Sequence, residues 1–134
     1  AKQSNNNSYF ELIGNNGAVY NINKHNFIKA RKLAKYAKNN QDLIKYSYQE
    51  EGKFYYDKGN FDASIKAFSM IGDQEAIKTI YKAMFVKEQN KLPKNLNSEN
   101  IKNYKKNINN MNFYAKKSND KSLVNNVQQY SKLL

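Results

Sequence analysis

The chain has 134 residues, no cysteine, one histidine and a formal net charge of +12. That length suits one domain with a buried core of its own, and the missing cysteines exclude disulfides and thiolate metal sites. The longest apolar run is Ala83-Met84-Phe85-Val86, far short of the roughly 20 residues a membrane-spanning helix needs.

Residues 1–8 are polar and Asn-rich and lack both an initiator Met and the apolar segment of a signal peptide. They predict a polar lead or tether on a fragment or processed chain, with one domain over 9–134. The context this suggests is a processed or lipid-anchored cell-envelope protein of an AT-rich bacterium, with the cytoplasm as the alternative. Residues 9–24 are ambiguous. Tyr9 to Ile13 suits a short helix, 14–17 reads as a turn at its two glycines, and 19–23 alternates weakly, as a strand would. With so much helix downstream, a short degenerate helix is the expectation.

From His25 onward the apolar positions recur at three and four. Phe27, Ile28, Ala30, Leu33, Ala34 and Ala37 form one stripe and predict a helix over 26–40. Leu43 through Tyr55 continue the pattern, and Asp42 is a candidate N-cap for a helix over 42–58. Gly59 stops it, and 61–71 is a third helix. Gly72 and Asp73 precede a fourth over 76–86. Pro93 lies in a loop at 91–97, since proline cannot continue a helix. Ser98 and Glu99 open a long polar helix to Lys117 carrying Ile101, Tyr104, Ile108, Met111 and either Tyr114 or Ala115. Asp120 opens a last one with Leu123, Val124, Val127, Tyr130, Leu133 and Leu134. The fold class is all-α, about six helices in antiparallel hairpins.

The chain also repeats itself. Asn26-Phe27 matches Asn60-Phe61 at an offset of 34, and Ala30 meets Ser64, Lys32 meets Lys66 and Leu43 meets Ile77 at the same offset. Within 43–72, Gly52 is a small residue with the aromatic Tyr55 three positions on. Gly59 stands in the turn, Phe61 just after it, and Ser64 and Phe68 on the second helix. This pattern resembles the tetratricopeptide-repeat family, clearly over 26–72 and faintly over 73–134. The resemblance implies a short solenoid in which Phe27, Ala30, Gly52, Tyr55, Gly59, Phe61, Ser64 and Phe68 pack paired helices together.

The residues offer little chemistry. A single His and no Cys leave only carboxylates for a metal. The loop at 57–62 has Phe68 where a calcium loop needs its bidentate Glu. Adjacent Glu50 and Glu51 point in different directions on a helix. No cofactor, metal or catalytic residue is expected, and no enzymatic activity. Of 23 basic residues only Arg31 is arginine; the rest are Lys, which like Asn, Ile, Tyr and Phe has AT-rich codons. Arginine's planar fork is the tool for phosphate and guanine, so nucleic acid is not the expected partner. Lys102, Lys105, Lys106, Lys116, Lys117 and Lys121 read first as a solvated face. The alternative is a basic surface for nucleic acid or anionic membrane. The family resembled lines its concave groove with first-helix residues, which here are Tyr46 and Tyr56, with Gln49 and Lys53 on the same face. The same offset gives Ile80 and Lys87 in the next repeat. The expected function is a scaffold or adaptor that binds another protein or a helical segment of one, with peripheral membrane contact left open.

Overall fold

The computed structural model describes the backbone from Lys2 to Leu134 and side chains from Ser8. The described residues form seven helices and no strand: α1 (Lys2–Asn23), α2 (Phe27–Ala34), α3 (Asn40–Asp57), α4 (Phe61–Met70), α5 (Gln74–Gln89), α6 (Ile101–Ser118) and α7 (Lys121–Ser131). They group into two compact units, unit 1 being Ala1–Asp73 and unit 2 Gln74–Leu134.

Unit 1 is two helical hairpins. α1 packs on α2 and α3 on α4, and α3 also lies against α2 and α1. The expected short, degenerate helix is instead a helix of 22 residues, with helical backbone from Lys2 through the segment read as a polar lead. Its two glycines make no turn. A Cβ on Gly14 would lie 2.8 Å from the backbone N of Ala37 and 2.9 Å from the carbonyl O of Leu33. Gly14 is therefore where the end of α2 presses onto α1. That contact offsets the roughly 1 kcal/mol a mid-helix glycine costs. Gly52 does the same in the second hairpin, where an added Cβ would sit 2.4 Å from the Phe68 ring.

The two hairpins also turn alike. α3 ends with Asn60 N–H donating to Tyr55 O at 2.9 Å and Gly59 N–H to Tyr56 O at 2.9 Å, Gly59 being left-handed at φ 76°. This is the Schellman arrangement. α1 ends in the same pair of bonds, Asn26 to Asn21 O and His25 to Ile22 O, with His25 at φ 63°. His25 thus holds the place that Gly59 holds 34 residues later. A non-glycine residue there is strained by about 1 kcal/mol, and its ring lies 4.4 Å from that of Phe54. Asn60 then caps α4 by accepting from Ala63 N–H at 3.2 Å. α2 is shorter than the period predicts. It closes at Ala34 because Tyr36 and Ala37 N–H bond back to Leu33 and Ala34, tightening the chain into turns. Asn39, not Asp42, takes the N-cap position of α3, and Asp42 sits in its first turn.

In unit 2, α5 packs on α6 and α6 on α7. The buried apolar positions of α6 are Tyr104, Ile108, Met111 and Ala115, spaced four, three and four, and they close over Phe85 and Val127. Each large side chain buried this way contributes roughly 1.5–3 kcal/mol. Ile101, predicted as part of the stripe, is 37% exposed at the helix start. The Tyr104 hydroxyl donates to Tyr130 O at 3.0 Å, and burial, with the neighbouring Tyr130, pushes its phenol above the usual range. Asp120 caps α7 as expected, accepting from Ser122 N–H at 2.9 Å and Ser122 Oγ–H at 2.6 Å.

Candidate interaction surface

On α3, the positions 46, 49, 53 and 56 recur at spacings of three and four and so share one face. The structure leaves Tyr46 41% and Tyr56 37% exposed, with Gln49 half-buried and Lys53 exposed. Tyr56 is braced by Phe61, ring centroids 5.5 Å apart. Lys53 reaches Glu50 at 3.3 Å. Lys53 also lines a groove of about 480 Å³ in which Ile22 and Asn23 from the end of α1 face Glu50, Phe54 and Asp57 of α3. This groove, next to the face at Lys53, is where the end of α1 meets α3.

At the 34-residue offset Tyr56 falls on Ile22, which is 2% exposed, while Tyr46 corresponds to Leu12 and Lys53 to Val19. Both are exposed, at 57% and 36%, and so are Tyr9, Ile13 and Tyr20 around them. Sequence reading missed this apolar surface, because 9–24 did not read as one helix. Carried the other way, the offset fails. Ile80 is 2% exposed and has no surface to offer a partner. Lys87 is exposed.

The residues expected to hold the repeat together differ in burial. Phe27, Ala30, Ser64 and Phe68 are buried, Gly52 lies under Phe68, and Tyr55 and Phe61 are half-buried. Ser64 Oγ–H donates to Gly52 O at 2.7 Å, tying α4 to α3.

Two further clusters escaped the sequence. Arg31 reaches from α2 to α3, with Nη1 2.9 Å from Glu51 Oε2 and its guanidinium 4.0 Å from the centre of the Tyr48 ring. Its being the one arginine among so many lysines was the available signal, since only a planar fork both stacks and pairs. In unit 2 the carboxylate of Glu88, 6% exposed, accepts from Asn110 Nδ2 at 3.1 Å and from Lys91 Nζ at 3.3 Å. With its amide turned to donate, Asn107 reaches the same carboxylate at 3.1 Å. Both oxygens of this buried acid are thus engaged by structural donors. Among the described residues no helix is long and apolar enough to cross a membrane. No protein-family model, curated protein or solved structure matches the chain.

Proposed function

We propose that the chain is a non-catalytic protein–protein interaction module of tetratricopeptide-like hairpins that docks a helical segment of another protein. The observation that carries this reading is the exposed aromatic and aliphatic surface on the two first helices of unit 1. It comprises Tyr9, Leu12, Ile13, Val19 and Tyr20 on α1 and Tyr46 and Tyr56 on α3. Repeat arrays bind through equivalent positions on successive helices, and Leu12 and Val19 are equivalent to Tyr46 and Lys53. Partly exposed tyrosines make good anchors, because the ring supplies contact area and the hydroxyl tolerates water. An exposed apolar patch on a highly charged chain is also the usual mark of an interaction site.

Capture from a native lysate on immobilised wild-type chain, on Tyr46→Ala/Tyr56→Ala and on Leu12→Ala/Val19→Ala tests this. One partner should be retained by the wild type and reduced about tenfold or more by each double variant, the scale of two anchor residues. A partner recovered equally by all three removes this surface from the proposal.

A further inference from the structure

Unit 2 holds most of the chain's excess charge: residues 74–134 contain 12 lysines against the four carboxylates of Glu75, Glu88, Glu99 and Asp120, a net +8. The distribution matters more than the total. Lys78, Lys82 and Lys91 pair with Glu75, Asp120 and Glu88. α6 instead carries Lys102, Lys105, Lys106, Lys116 and Lys117 with no acid at all. All five are exposed, and none is in an ion pair among the described residues.

These lysines are set around an aromatic group. Positions 102, 106, 109, 113 and 117 share one face of α6, which aligns Lys102, Lys106 and Lys117 with Phe113. Phe113 is 52% exposed, and Lys117 Nζ lies 5.6 Å from its ring centre. Its ring meets Tyr114 edge-on at 5.8 Å and Tyr81 at 6.4 Å, while Tyr81 and Tyr114 stack at 6.4 Å. A lone exposed Phe is ordinary. A Phe propped by two tyrosines in a row of unpaired lysines is not.

We propose that this face of α6 binds single-stranded nucleic acid, its lysines against phosphates and Phe113 stacked on a base. Such sites combine a cationic track with aromatic platforms and tolerate any sequence. The scarcity of arginine argues against reading base edges but not against neutralising phosphate. The row extends about 22 Å along the helix, room for a few nucleotides. A membrane surface fits less well, because an interfacial helix needs a continuous apolar face. α6 places its own, Tyr104, Ile108, Met111 and Ala115, in the core. An acidic protein would use the lysines and leave the aromatic group idle.

Fluorescence anisotropy of the full chain with a labelled 12-nucleotide oligo(dT), against polyglutamate and anionic phosphatidylserine vesicles, decides the matter. The oligonucleotide should bind at 50 mM salt and weaken about twentyfold by 200 mM, as expected if the three lysines of this face neutralise three phosphates. Phe113→Leu keeps the apolar bulk and removes the ring, at an exposed position that folding does not need. It should weaken oligonucleotide binding fivefold or more and leave polyglutamate unaffected. Lys102→Gln/Lys106→Gln/Lys117→Gln should flatten the salt dependence. Absent oligonucleotide binding at 50 mM salt, a Phe113→Leu affinity equal to wild type, or vesicles or polyglutamate bound as tightly as oligo(dT) would each overturn the proposal.

Discussion

In unit 1 the least exposed residues are small: Ala18, Ala30, Ala34, Ser47 and Ser64. In unit 2 they are mostly large: Ile80, Phe85, Tyr104, Met111 and Val127. The first unit is held by backbones brought close together, which only glycine, alanine or serine at set positions allows. The second is held by volume, which any apolar stripe of the right period can supply. A packing mode that depends on single small residues leaves a repeat in the sequence; one that depends on a stripe leaves only periodicity. This is why the 34-residue pattern is sharp over 26–72 and fades beyond.

The contrast breaks most visibly under Phe85→Ala. Phe85 is 1% exposed at the centre of the unit 2 core, and truncating a buried Phe costs about 3–5 kcal/mol. Hydrogen exchange should show α5, α6 and α7 losing protection while α3 and α4 keep theirs. Equal loss in α3 and α4 would mean that the two units unfold as one.

Gly52→Leu tests the other half. The new side chain starts 2.4 Å from the Phe68 ring, and overpacking of this kind costs about 1–3 kcal/mol. Gly14→Ala adds one carbon against the backbone of α2, which has less freedom to move than a ring, so it should cost a comparable amount. Urea midpoints read both, and an unchanged midpoint for either rules out close approach there. Arg31→Lys should cost less, about 1 kcal/mol, by keeping the charge and losing the stacking on Tyr48 and the fork to Glu51. If Arg31→Lys has no effect while Glu51→Gln does, the stacking contributes nothing.

The helices from 26 onward were legible because their apolar residues recur at three and four and their ends carry strong signals. Gly59 and Gly72 both take positive φ, and Asp120 makes the expected cap. α1 was not legible, for a physical reason. Ala18 and Ile22 are buried on one side while Tyr9, Leu12, Ile13 and Tyr20 lie exposed on another, so no polar face marks the period. Its contact glycines then mimic a turn. The α3 face could be placed, because Tyr46 and Tyr56 share one helix. The trio of Tyr81, Phe113 and Tyr114 could not, since it joins residues of α5 and α6 that only the fold brings together. Ile80 misled because the repeat offset was extended past the point where the packing mode changes.

The smallest expected effect concerns the cap that starts α7. The hydrogen bond from the Ser122 side chain is the largest influence holding the Asp120 carboxyl below its usual value; desolvation opposes it, and the Ser122 and Leu123 amides and Lys82 add smaller contributions in the same lowering direction. A carboxylate whose folded pKa is depressed stabilises the fold above the unfolded value, near pH 4, and loses that contribution as pH falls through the lower folded value. Asp120→Asn keeps an amide oxygen able to cap the helix but cannot titrate. Wild type should therefore melt slightly higher than Asp120→Asn by a constant margin between pH 5 and 8, and the margin should shrink below about pH 4. Because both chains carry all the other carboxylates, their common acid sensitivity cancels in the difference. The Lys82 contact, at 3.7 Å with Lys82 half exposed, is screened by salt, whereas the hydrogen bonds from Ser122 are not. Raising the salt should trim the margin without removing it. A margin that stays constant from pH 7 to pH 2 would show that the charge on Asp120 does nothing for α7, and that the cap acts through its oxygen alone.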